Sequence, residues 1–116
     1  MKSGTFGALA EQIAAWLLRL KGYRILARQL RPARGVGAGE IDIVAKRGHT
    51  LAFVEVKARA TTAQALEALS HQQRGRIQRA AIAYMSDHPK FAKFNMRFDL
   101  IAIAPWQIPN HIQNAW

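Results

Sequence analysis

The sequence predicts one α/β domain built around a mixed sheet, with elements in the order α-β-β-β-α-β. Three observations carry that expectation. The 116 residues are enough for one domain and too few for two. Half of them are apolar, which supports an ordinary core and argues against disorder. Helical and strand periodicities then alternate along the chain, with no internal repeat and no low-complexity tract.

The first element is a helix over about residues 5–21. Phe6, Leu9, Ile13, Trp16, Leu17 and Leu20 fall within about 60° of one another on the helical wheel, an apolar stripe expected to face the core. Lys21-Gly22 is a usual C-terminal stop. Tyr23 to Leu30 reads as a strand, and residues 31–39 as a basic, glycine-rich loop. Glu40 to Lys46 and Leu51 to Arg59 are β-rich runs joined by Arg47-Gly48-His49-Thr50, short enough to make them an antiparallel hairpin. Leu66 and Leu69 suggest a short helical piece. Ser70-His71-Gln72-Gln73 has the capping-box pattern that starts a helix running to about Met85. His88-Pro89 breaks it, and Arg97 to Ala104 is a fourth strand. Residues 1–104 form the domain. Residues 105–116 are a tail without side-chain charge, whose Trp106 and Trp116 are expected to pack back over the sheet.

Composition narrows the function. Seventeen Lys and Arg against seven Asp and Glu leave a net charge of +10, which points to a polyanionic partner, most often nucleic acid and less often an anionic membrane surface. The absence of cysteine excludes disulfides, Cys-ligated zinc and iron–sulfur clusters. The apolar run Ile13 to Leu18 stops at Arg19, far short of a membrane span, and no signal-like segment follows Met1. A cytoplasmic protein without membrane contact is expected.

Three of the seven acids, Glu40, Asp42 and Glu55, lie within sixteen residues on the two strands of the hairpin. Side chains at i and i+2 share a strand face, so Glu40 and Asp42 point together, as do Glu55 and Lys57, opposite Val54 and Val56. Crowded carboxylates resist desolvation unless a cation holds them. Oxygen ligands suit magnesium or manganese better than zinc, and a lysine beside the ion could orient water or neutralise a phosphoryl oxygen. Spacing leaves a second reading equally open: an edge hairpin with a solvated polar face.

Gly39-Glu40-Ile41-Asp42-Ile43-Val44-Ala45, followed by Phe53-Val54-Glu55-Val56-Lys57-Ala58-Arg59, resembles the restriction-endonuclease-like superfamily, whose signature is an Asp, a gap, then Glu-x-Lys on the next strand. More closely, the chain resembles the YraN family of bacterial endonuclease-like proteins. Gly7, Glu11, Gly22-Tyr23-Arg24-Ile25-Leu26, Arg76-Ile77, Ala80-Ala81 and Arg97-Phe98-Asp99 extend the resemblance over residues 5 to about 104. It implies a restriction-endonuclease-like core, with Asp42 and Glu55 as metal ligands joined by the Val56 carbonyl, and Lys57 as the catalytic lysine. Glu40, Glu11 and Gln73 would be accessory catalytic residues. Two positions depart from the family pattern: Gln73 stands where the family usually has Lys, and Gln29 where it usually has Asn.

Other candidates carry bland alternatives. Glu11 lies about 160° from Ile13, opposite the apolar stripe, which reads as a surface position. Gln73 either reaches the site or closes the capping box. Asp99 follows Arg97 by two, a local ion pair. His49, His71, His88 and His111 show no ligand spacing and are expected in solvent. Gly35-Val36-Gly37-Ala38-Gly39 opens a strand, not a helix, so it is no phosphate-binding fingerprint and reads as a flap or a connector. Arg31, Arg34, Arg59, Arg74, Arg76 and Arg79 are candidate phosphate contacts, since few acids exist to neutralise them. The expected function is a magnesium- or manganese-dependent nuclease, with DNA favoured over RNA. The alternative is a non-catalytic nucleic-acid-binding module, or a small basic subunit of a larger complex.

Overall fold

A computed structural model describes residues 4–31 and 38–116, the side chains of 4–6 excepted. Arg34, Gly35, Val36, Gly37 and the Phe6 side chain therefore lie outside the described residues. The element order is α1 (Gly4–Leu20), β1 (Arg24–Leu30), β2 (Ile41–Arg47), β3 (Thr50–Ala58), α2 (Thr62–Glu67), α3 (His71–Asp87), a 3-10 turn at Pro89–Phe91, β4 (Asn95–Ile103) and β5 (Asn110–Ile112). The strands form one sheet in the order β1-β2-β3-β4-β5. Among the described residues, only β3 and β4 pair in parallel, across the α2–α3 crossover, so the sheet is mixed as expected.

Local chemistry explains the boundaries. Helix α1 ends where Gly22 takes φ +91°, with Gly22 N–H on Arg19 O and Tyr23 N–H on Leu18 O, the paired bonds of a Schellman stop. The β2–β3 turn is only Gly48-His49, between the paired Arg47 and Thr50, and Gly48 supplies the positive φ of 59° that so tight a turn needs. Ser70 Oγ accepts Gln73 N–H to open α3. Among the described residues, no helix is long and apolar enough to cross a membrane.

The sheet separates two apolar layers. On one face Ala10, Ala14, Ala15 and Leu18 of α1 pack on Ile43, Ala45, Ala52, Val54 and Val56. On the other, Ile77, Ala80, Ala81 and Tyr84 of α3 pack on Val44, Leu51 and Phe53. Strand alternation then sends Glu55 and Lys57 toward the α3 side.

Three expectations need correction. The stripe of large apolar residues on α1 is not its core face: Leu9, Trp16 and Leu20 are exposed, while Ile13 and Leu17 are half-buried. Alanines let the helix backbone lie close against the sheet, and that close packing turns the bulky stripe outward. His111 is not solvated: it sits on β5 with its side chain 3% exposed, and His88 stacks on Tyr84 with ring centroids 4.0 Å apart. Trp116 packs on Phe98 as expected, but Trp106 is fully exposed.

Candidate active site

The last β2–β3 pair is Ile43 with Val54, and extending the register by one residue sets Asp42 opposite Glu55. Both are buried, at 5% and 4% exposure. At this point the two strands stop exchanging backbone bonds, and the Val56 N–H donates instead to Asp42 Oδ2 at 2.8 Å. Glu55 Oε2 lies 3.0 Å from Lys57 Nζ and accepts from Gln73 Nε2 at 3.0 Å. Strand β3 and the first turn of α3 thus converge on one carboxylate. Gln73 does not close the capping box: its N–H is capped by Ser70, but its side-chain amide reaches Glu55 instead of returning to Ser70.

Glu11 corrects another expectation. It is 2% exposed, because it shares the small-residue face of α1 with Ala14, Ala15 and Leu18. Arg28 Nε donates to its Oε1 and Gln29 Nε2 to its Oε2, each at 3.2 Å. Gln29 lies between the pairs Arg28–Ile43 and Leu30–Ile41, which sets it level with Asp42 in the sheet, and it adopts φ +50°. The register therefore aligns Gln29, Asp42 and Glu55 across three strands, with Glu11 tied to the row from α1. Glu40 precedes β2 and pairs with the exposed Arg31 at 2.9 Å. Among the described residues, no three His, Asp or Glu side chains form a metal-holding group.

Of the candidate phosphate contacts, all but Arg34 fall on described residues. Arg31, Arg59, Arg76 and Arg79 are exposed, and the half-buried Arg74 donates to Leu69 O. Gly39 N–H bonds to Arg76 O, and a Cβ on Gly39 would stand 3.0 Å from the Arg76 Cβ, so a larger residue here would have to push Arg76 aside by a few tenths of an ångström.

The densest polar cluster lies elsewhere, on β4. Asp99 is fully buried and accepts from Arg97 Nε and Nη2 at 2.9 and 2.8 Å, from Asn114 N–H at 3.0 Å, and pairs with His111 Nε2 at 2.8 Å. Lys21 Nζ contacts His111 Nδ1, and Tyr23 OH accepts from Arg97. Burial alone would raise the Asp99 carboxyl. The bonds from His111, Arg97 and Asn114, with the Arg97 charge, outweigh it and hold the group below the usual carboxylate range. The Asp99 hydrogen bond likewise raises Arg97, against its own desolvation. The local Arg97–Asp99 pair was legible in the sequence. The roles of His111 and Lys21 were not, because a three-residue strand carries no periodicity.

Residues 10–103 match the sequence profile described as "Uncharacterised protein family UPF0102". A UPF0102 protein of Paramagnetospirillum magneticum is 54% identical over 110 residues, spanning 95% of this chain and 85% of that protein. UPF0102 proteins of Parvibaculum lavamentivorans and Mesorhizobium japonicum are 47% and 44% identical over 95% of this chain, covering 80% and 85% of their own lengths.

Proposed function

The chain belongs to the uncharacterised protein family UPF0102, the YraN family, and on that premise we propose that it hydrolyses phosphodiester bonds in nucleic acid with the help of a divalent ion. One observation carries the reading: a buried glutamate, opposite a buried aspartate, is held by a lysine and a glutamine in a chain of net charge +10. Two of only seven acids are spent where a basic surface would draw in a polyanion.

The donor set suits a hard cation: two carboxylates, Asp42 and Glu55, with the Val56 carbonyl as the third ligand that the resemblance implies. Magnesium or manganese held there would supply positive charge at the scissile phosphate and acidify a water. The chain's own groups do the rest. Lys57 Nζ offers an ammonium to a non-bridging phosphate oxygen as charge builds on it. Gln73 fixes the Glu55 carboxylate so that its orientation survives when Lys57 turns to the substrate. Glu11 and Glu40, tied to Arg28 and Arg31, set the local field from the side. Exposed arginines position the backbone without reading sequence.

The Val56 N–H bond to Asp42 favours a second reading, a binding module in which that carboxylate only caps the end of the ladder. The deciding assay offers linear, single-stranded and branched DNA and structured RNA with magnesium or manganese. The nuclease cuts at least one of them, Lys57→Ala lowers cleavage about 100-fold or more, and Asp42→Asn abolishes it while circular dichroism shows both folded. Failure to cut any substrate, or variants that cut like the parent, gives the binding module instead.

A further inference from the structure

The outer face of α1 presents Leu9, Trp16 and Leu20 at 52%, 55% and 83% exposure. Ile13, on the same stripe, lines an apolar groove with Ile103, Pro105, Trp106 and Pro109, so the helix stripe and the tail form one continuous patch. Trp106 projects from the groove fully exposed, on a backbone at φ +61°, a region that bulky side chains rarely adopt. Ile108, 87% exposed, extends the patch.

Charge decides which occupant fits. No Lys, Arg, Asp or Glu occurs from Ile103 to Trp116, and Arg19, the cation on the helix stripe, lies over the Trp16 ring at 5.4 Å. Beyond Arg19, the patch offers no charge to a polyanion or to an acidic partner. A second +10 molecule can approach it while facing little like charge. An exposed indole and an apolar groove share the patch, which is the self-complementarity that a two-fold contact requires. The exposed parts of Trp16 and Trp106 come to roughly 400 Å², about half of the ~800 Å² that each partner buries in a standard interface. Leu9, Leu20 and Ile108 supply much of the remainder.

We propose that this face is a homodimer interface, in which Trp106 of each copy enters the groove of the other. The inference stands apart from the nuclease reading. The patch and the Glu55–Gln73 cluster lie on opposite faces of the sheet, so pairing of the patch leaves that cluster in each copy open.

The test is sedimentation equilibrium on nuclease-treated protein in about 0.5 M salt, where charge-mediated association is screened. The parent is expected at twice its 13.0 kDa chain mass at about 100 µM, a concentration well above typical interface dissociation constants. Trp106→Glu and Leu20→Glu, both on exposed side chains, each weaken the dimer about 30-fold or more with unchanged circular dichroism. A parent that stays at 13.0 kDa overturns the proposal and leaves the face to another protein or a lipid surface. Variants that dimerise as tightly as the parent overturn it as well.

Discussion

Replacing Asp99 by Asn keeps its shape and removes its charge. Four donors converge on the two carboxylate oxygens: Arg97 Nε and Nη2, His111 Nε2 and the Asn114 N–H. An amide has one acceptor oxygen, so its NH2 group must face donors, and Arg97 loses its buried counter-ion. Breaking such a pair on one side costs about 3–5 kcal/mol. For 116 residues the unfolding entropy is about 0.24 kcal/mol/K, so Tm should fall by roughly 12–20 °C. Thermal melts followed by circular dichroism at neutral pH measure this directly. The pH dependence gives a second check. The folded carboxyl titrates below its ordinary value of 3.8, so its stabilisation is complete above that pH and is lost as pH falls through the folded value. The gap between parent and Asp99→Asn should therefore be constant above about pH 5 and narrow below about pH 4. A variant within about 4 °C of the parent, or a gap unchanged down to the acid limit, would refute the assigned role.

Gln73→Ala removes the donor to Glu55 Oε2 but leaves the Ser70 cap on the backbone N–H. Cleavage should fall about tenfold while stability changes by about 1 kcal/mol, read from kinetics and melts on the same preparation. Duplex binding should weaken with salt along a log–log slope near −5 if about six phosphates are contacted, measured by fluorescence anisotropy. A flat salt dependence would remove nucleic acid as the partner.

The hairpin was readable because its alternation is strict and its turn is short. Val54 and Val56 had to face one layer, so Glu55 and Lys57 had to face the other. Asp42 followed from the register of the same hairpin. Helix α1 was misread in orientation because bulk is a poor guide when a helix can lie flat on alanines. Ala10, Ala14 and Ala15 bury little area each, yet they set the approach distance, and Glu11 went inward with them. The exposed stripe of Leu9, Trp16 and Leu20 is part of the surface proposed to pair. Gln73 could not be resolved in sequence because one residue supplies two groups, a backbone N–H to the cap and an amide to the site. The fifth strand, Asn110–Ile112, is too short for a pattern, and it pairs with β4 beside the buried His111–Asp99 contact.

The central claim is that Asp42 and Glu55 share a divalent ion. Crystals grown or soaked with manganese, with data collected at its absorption edge, test it most directly. One anomalous peak is expected within about 2.2 Å of a carboxylate oxygen from each residue, and near the Val56 carbonyl. No such peak is expected in Asp42→Asn. No peak between these side chains at saturating manganese, or a peak held by other residues alone, would contradict it.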